Sequence, residues 1–130
     1  MVRQYLNPET LSSTSGRYTQ VVKSGNMVFI AGQIASDPTG KVVGENDVKA
    51  QARQVYKNLE AALKSVGGSL SDVVKTTTYL TKAENFPIWS PIRAEIWPSN
   101  PPTSRLLIVS ALAAPAFLIE VEAIAIIGDR

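Results

Sequence analysis

The sequence of 130 residues contains no cysteine and no histidine. Their absence excludes disulfide bonds, a thiolate nucleophile, a Ser-His-Asp triad and every metal site that depends on His or Cys ligands. Acid–base chemistry would therefore fall to Asp, Glu, Lys, Tyr, the chain termini or bound water. If the chain is an enzyme, we expect a mild reaction in which a carboxylate is the acid or base.

Charge is also sparse, at 18% of residues with a net charge of +2, and the basic residues form no run. This pattern argues against a nucleic-acid-binding surface. No apolar stretch approaches the roughly 18 residues of a membrane-spanning helix, and the N-terminal MVRQYLNPETLSS resembles neither a secretory signal nor an organelle presequence. We expect a cytoplasmic protein without membrane association, folded as a single domain over residues 1–130.

Hydrophobic periodicity divides the chain into strands and two helices. Strand-like residues 17–24 and 27–32 flank Gly25-Asn26, a hairpin signal, and apolar residues at helical spacing follow between Asn46 or Asp47 and Gly67-Gly68. The remaining segments are a strand at 73–81, a shorter helix near 85–97, and the strand-like SRLLIV and FLIEVEAIAII. The order β-β-α-β-α-β-β predicts an α+β fold, a sheet with both helices packed on one face.

The stretch LIEVEAIAII, residues 118–127, combines strand character with two carboxylates. Glu120 and Glu122 must point the same way because side chains alternate along a strand. The neighbouring residues on both faces of this strand are apolar, which is typical of a strand covered on both faces. A carboxylate in such a strand requires a partner.

Arg105 is the natural partner if the last two strands form a hairpin around SALAAP, residues 110–115. Symmetric antiparallel pairing would then set Arg105 directly opposite Glu120. One interpretation is a structural ion pair that fixes the hairpin register. The other is a functional site, in which the guanidinium binds an organic acid and the glutamate activates a water molecule. Glu122 is more simply explained as a structural or interfacial residue.

Longer segments of the sequence resemble the Rid family, the reactive intermediate (imine/enamine) deaminases. The resemblance is carried by TSRLLIV together with LIEVEAIA, by VFIAGQIASDPTGKVV, by RYTQVVKSGN, and by QARQVYKNLEAALKSVGGSLSDVVKTTTYL. It extends from about Tyr18 to Ile126. It implies a chorismate-mutase-like α+β fold, a homotrimer whose sheets line a central barrel, and a ligand pocket at each subunit interface.

The resemblance also implies an activity and its residues. The activity is hydrolysis of 2-imino acids and their enamine tautomers, such as 2-iminopropanoate from 2-aminoacrylate, to 2-oxoacids and ammonia, with no cofactor and no metal. Arg105 would bind the substrate carboxylate, and Glu120 would position the attacking water and assist proton transfer. The further substrate-binding positions implied are Tyr18, Ala31, Gly32, Ser90 and the backbone carbonyl of Leu107.

Two regions depart from the family pattern. Ala31 stands where the family often has Ser before the Gly of its SGQ motif. The second helix usually reads Phe-x-x-x-Asn-x-x-Tyr-x-x-x-Phe, and here Ser90 replaces the Asn and Arg93 replaces the Tyr. Arg93 would suit a larger or more acidic substrate of the 2-aminomuconate kind, or would be solvated on an exposed helix face. Lys75 would assist binding or be a charge on a sheet edge.

Two other functions stay open at this point. A catalytically silent protein would use the Arg105 pocket to sense 2-oxoacids or similar small acids. The changes at Ala31 and Ser90 favour it, whereas the retention of both Arg105 and Glu120 speaks against it. RNA cleavage or translation inhibition has been attached to the family. The sequence supports that function poorly, because it has no histidine and no platform of aromatic and basic residues.

Overall fold

The computed structural model describes residues Val2–Gly128 and contains one six-stranded sheet and two α-helices. The elements, in chain order, are β1 (Arg3–Leu6), β2 (Val21–Ser24), β3 (Met27–Gln33), α1 (Val48–Lys64), β4 (Val73–Leu80), α2 (Phe86–Ile96), β5 (Thr103–Ile108) and β6 (Ile119–Ile126). Among the described residues, no helix has the length and apolar character needed to cross a membrane. The predicted α+β class is confirmed, with the additional strand β1 before the expected first strand.

Helix α1 begins and ends where the sequence predicts. Asp47 is its N-cap, and its Oδ1 accepts a hydrogen bond from the backbone N–H of Ala50 at 3.1 Å. At the other end, the Gly68 N–H donates to the carbonyl of Leu63 at 2.9 Å, and Gly67 has a φ of +77°, which favours glycine. The apolar face of the helix is fully buried, at Ala52, Val55, Leu59, Ala62 and Leu63.

The strand order is β1-β2-β3-β6-β4-β5, so β4 lies between the two C-terminal strands. Strands β2 and β3 form the predicted hairpin, with Ser24 opposite Met27. The predicted hairpin of β5 with β6 is wrong. Strand β5 instead pairs in parallel with β4, and β6 pairs antiparallel with the other side of β4. A parallel pair needs a long crossover connection, which α2 supplies between β4 and β5.

The two faces of the sheet differ in what covers them. On β6, the face toward the helices carries Ile119, Val121, Ala123 and Ala125, each no more than 3% exposed. The other face of β6 carries Glu120 and Glu122 and is not covered within one chain. We call this second face the open face. Both helices therefore pack on one side, as predicted, and both glutamates lie on the other.

Candidate active site

Residues from three strands lie on the open face in two rows set by the strand register, and the charged ones come from β5 and β6. Glu120 is paired with Tyr79 of β4, which is paired on its other side with Leu107 of β5. Glu122 and Arg105 flank Thr77 in the same way. Neighbouring strands are about 4.8 Å apart, so the backbones of β5 and β6 are separated by roughly 10 Å.

Arg105 and Glu120 therefore share a sheet face, but they are not the directly opposed pair that the hairpin prediction required. The sequence argument assumed a short loop between β5 and β6 and placed those strands side by side. Insertion of β4 separates them by one strand. Between them lies the half-buried side chain of Tyr79. Its hydrogen bond to Glu122 raises the pKa of Tyr79, burial and the charge of Glu120 raise it further, and the positive charge of Arg105 lowers it.

Glu120 is positioned by a close approach to the backbone of β3. A Cβ atom placed on Gly32 would lie 2.7 Å from Cδ of Glu120, closer than real Cβ atoms come to other heavy atoms. A register irregularity between Ile30 and Gln33 in the pairing of β3 with β6 accompanies this approach. Glycine at position 32 thus leaves the space that the carboxyl group occupies.

The environment of Glu120 favours its protonated form. Burial raises the pKa of this carboxyl above its ordinary value of 4.5, and the negative charge of Glu122 raises the pKa further. Glu122 is itself held by the Tyr79 hydroxyl, which donates a hydrogen bond to Oε1 at 3.0 Å. The shift toward the protonated form suits Glu120 to a role in which it accepts and returns a proton.

Arg105 is an exposed residue on β5, which is an edge strand. The ion pairs between side chains of residues 2–128 are Arg53 with Glu95 and Lys64 with Glu60, and neither involves Arg105. Its guanidinium is therefore available to an anionic ligand on the open face. A planar guanidinium binds a carboxylate through two parallel hydrogen bonds.

Four further residues implied by the resemblance fall near this region. The Ala31 N–H donates to the carbonyl of Gln20 at 2.9 Å, which brings the segment carrying Tyr18 alongside the end of β3 that contains Gly32. Tyr18 is 52% exposed. Leu107 is half-buried beside Tyr79. Gly32 and Leu107 thus lie on the open face, beside Glu120 and Tyr79 respectively.

Ser90 is not brought together with Arg105. It belongs to α2 and lines a cavity on the helix side of the sheet, together with Ser104 and Leu106 of β5. These two residues alternate along β5 with Arg105 and Leu107, so they point to the opposite face. Within one chain the sheet separates Ser90 from the open-face residues.

The structure also corrects the interpretation of two cations. Lys75 is not an edge charge, because β4 has neighbours on both sides; it lines an open-face cavity of about 170 Å³ beside Thr77 and Glu122. Arg93 is not solvated on an exposed helix face. Its Nη2 donates to the carbonyl of Pro102 at 3.1 Å, and its guanidinium lies 5.3 Å from the centre of the Trp97 ring.

Tyr79 is the open-face residue that the sequence reasoning missed. The segment VVKTTTYL did indicate its position, because alternation along a strand puts Tyr79 on the same sheet face as Thr77 and Lys75. What the pattern lacked was the register that sets this face of β4 between Arg105 and the two glutamates.

Comparison with known proteins connects this geometry to a family. The sequence model described as endoribonuclease L-PSP matches residues 9–127. A RutC family protein of Pyrococcus horikoshii is 40% identical over 95% of this chain and 98% of its own length. Human 2-iminobutanoate/2-iminopropanoate deaminase is 31% identical, over 98% of this chain and 93% of its own length. The crystal structure of RidA from an Antarctic Psychrobacter superposes with a TM-score of 0.88 at 34% identity, covering 95% of this chain and 99% of that one.

The family match covers almost the whole chain, and the relatives share its length as well as its fold. The chain therefore belongs to the Rid family, the family that the endoribonuclease L-PSP model describes.

Proposed function

We propose that this protein hydrolyses 2-imino acids and their enamine tautomers, such as 2-iminopropanoate, to 2-oxoacids and ammonia. The observation that carries the proposal is the arrangement of the open face. It presents an arginine without an ion-pair partner among residues 2–128 and a partly buried glutamate with a raised pKa, on the same side of one sheet. The relative that is named a 2-iminobutanoate/2-iminopropanoate deaminase supports this choice of substrate class.

In this mechanism Arg105 binds the substrate carboxylate and Glu120 acts on water. Ionised Glu120 accepts a proton from water as the oxygen adds to the imine carbon, and passes that proton to the imine nitrogen to give a carbinolamine. It then takes the proton of the carbinolamine hydroxyl and delivers it to nitrogen as the C–N bond breaks, the C=O bond forms and ammonia leaves. Tyr18, Ala31 and Gly32 line the pocket at the end of β3, and the Leu107 carbonyl helps to hold the water. The imine is already electrophilic, so orientation of the reactants and exclusion of bulk water supply much of the catalysis.

We further propose that the protein is a homotrimer in which the open faces enclose a central barrel and the pocket is completed at each subunit interface. The open face exposes large apolar side chains, with Tyr5 63%, Met27 39% and Phe29 42% exposed. Register places Tyr5, Val22, Phe29 and Ile124 in one row across four strands. A contiguous apolar surface of this kind is typical of a protein–protein interface.

The test is release of 2-oxoacid and ammonia when a dehydratase generates 2-aminoacrylate in the assay. Wild type should accelerate the release, and Arg105→Ala and Glu120→Gln should each reduce the enzymatic rate by roughly a hundredfold or more, since both contact reacting or anchoring groups. Arg53→Ala is the matched control for Arg105, because Arg53 is exposed and pairs with Glu95 at 3.0 Å. Glu60→Gln is the matched carboxylate control, because Glu60 lies on α1 and pairs with Lys64 at 3.9 Å.

The outcome also separates the proposal from the alternatives. If the folded wild-type protein does not accelerate 2-oxoacid and ammonia release, hydrolysis of 2-iminopropanoate is refuted. Binding of 2-oxoacids that depends on Arg105, without turnover of any imine, would identify a small-acid sensor. Turnover of a longer dicarboxylic enamine alone would identify a deaminase of the 2-aminomuconate kind.

A further inference from the structure

A second cavity, of about 380 Å³, lies between α2 and β5 on the helix side of the sheet. We call it the α2–β5 cavity; its lining includes Phe86, Trp89, Ser90, Arg93, Trp97 and Ser104. Because Ser104 points to the face opposite Arg105, this cavity is separate from the proposed deaminase site within the chain. Its volume falls within the range of ligand sites for small molecules.

Arg93 is the only charged residue among those that line the α2–β5 cavity. Its guanidinium is half-buried, and no ion pair of residues 2–128 includes it. The Nε atom is enclosed and has no hydrogen-bond partner among the described residues. A positive charge that is partly removed from water and lacks a counter-ion is unfavourable, so an anion that reaches it gains more than it would in bulk water.

The guanidinium is also held in a fixed place. Nη2 donates to the carbonyl of Pro102 at 3.1 Å and to Oγ1 of Thr76 at 3.4 Å, and Cζ lies 5.3 Å from the centre of the Trp97 ring. No hydrogen bond within residues 2–128 uses Nη1 of Arg93, so the N–H groups of Nη1 remain for a ligand. An arginine whose rotamer is already fixed loses little side-chain entropy when it binds.

The remaining lining combines aromatic and aliphatic side chains with two hydroxyl groups. Phe86, Trp89 and Trp97 supply aromatic surface, and Leu106 closes the cavity toward the sheet. Ser90 and Ser104 supply hydroxyl groups that donate to carboxylate oxygens. This combination fits a ligand with one negative group and one planar apolar group.

We propose that the α2–β5 cavity binds an aryl-substituted carboxylate, with its carboxylate on Arg93 and its ring against the aromatic residues. The site is distinct from the open-face pocket and does not depend on deaminase activity. It uses Ser90 and Arg93, the two α2 positions at which the sequence departs from the family pattern.

The protein contains its own reporter for this proposal, because its two tryptophans, Trp89 and Trp97, both line the cavity. The probe is phenylacetate, titrated into the full-length protein while tryptophan emission is recorded. An Arg105→Ala background removes any contribution from the open-face arginine. Phenylacetamide, which has the same shape without the charge, is the ligand control.

We expect saturable quenching by phenylacetate in both the wild type and Arg105→Ala. Replacing the guanidinium in Arg93→Gln should weaken binding by about tenfold or more, as expected for loss of a charge-assisted hydrogen bond. Arg53→Gln, a change at an exposed arginine, should leave the affinity unchanged. Phenylacetamide should bind at least about tenfold more weakly than phenylacetate, because it lacks the charge.

Ala94→Phe keeps the proposal testable if Arg93→Gln impairs folding. Ala94 is an exposed helical residue on the rim of the cavity, and a phenyl group there fills the cavity without removing the hydrogen bonds of Arg93. This variant should abolish the fluorescence change. The proposal would be overturned if Ala94→Phe or folded Arg93→Gln bound phenylacetate as tightly as wild type does, or if wild type bound phenylacetamide as tightly as phenylacetate. Loss of phenylacetate binding in Arg105→Ala would also overturn it. Arg93 would then have only the structural role of a hydrogen-bond donor to the Pro102 carbonyl.

Discussion

Substitution of Gly32 by alanine should separate the catalytic role of Glu120 from the stability of the fold. The added Cβ atom would lie 2.7 Å from Cδ of Glu120 and 3.0 Å from its Cγ. These atoms belong to the flexible end of a partly buried side chain, so the glutamate, and not the backbone, is expected to move. Gly32 has no positive φ, so alanine is compatible with the backbone conformation.

The expected magnitudes for folding and for catalysis therefore differ. Removing a glycine restricts the unfolded chain and stabilises the protein by about 0.4–1 kcal/mol where the backbone permits it. Displacement of the carboxyl group offsets this gain, so the free energy of unfolding should change by less than about 1 kcal/mol. A displacement of about 1 Å at a reacting group can cost about a hundredfold in rate. We expect kcat/KM for the imine to fall by between about tenfold and a hundredfold.

The assay pairs dehydratase-coupled ammonia release with urea denaturation on the same samples. A double-mutant cycle with Glu120→Gln identifies the cause. If Gly32→Ala acts by moving the carboxyl group, adding it to Glu120→Gln should lower kcat/KM by less than about threefold. Full activity in Gly32→Ala would refute the argument. So would a parallel loss of activity and stability, because the damage would then lie in the fold.

Three further predictions concern stability and assembly. Because folding raises the pKa of Glu120 above 4.5, wild-type stability should fall as pH rises through that raised pKa. Glu120→Gln should therefore be more stable than wild type at neutral pH and lose this advantage below the unfolded-state pKa, and urea titrations that show no such convergence would contradict the assignment. Phe29 lies on the open face and is 42% exposed, and Phe29→Glu should convert the trimer of 14.0 kDa subunits to a monomer, as measured by light scattering. Ile88 on α2 is 44% exposed, and Ile88→Glu should leave the mass of the trimer unchanged. Asp47→Ala should lower the free energy of unfolding by about 0.5–2 kcal/mol through loss of the cap to Ala50, with Asp47→Asn close to wild type; equal stability of all three proteins would refute the cap.

Local pattern determined the elements of this protein to a large extent. The apolar face of α1 recurs at helical spacing and has a cap at one end and glycines at the other, so both its position and its length were predictable. The alternation in β6 likewise predicted that Glu120 and Glu122 share one face. These features depend on residues close in sequence, whose geometry is fixed by the period of a helix or a strand. Strand β1 was missed because it is short, and most of its residues are exposed.

The tertiary structure alone decided which strands are neighbours. The sequence of β5, β6 and the loop between them is compatible with a hairpin, and only the return of α2 across the sheet makes β5 a parallel partner of β4. That choice sets Tyr79 between Arg105 and Glu120 and places Ser90 on the opposite side of the sheet. The approach of Glu120 to Gly32 coincides with the register irregularity in β3, which no local pattern encodes. Sequence thus determined which residues could do the chemistry, and long-range pairing decided where they lie, because pairing energy comes from contacts between residues distant along the chain.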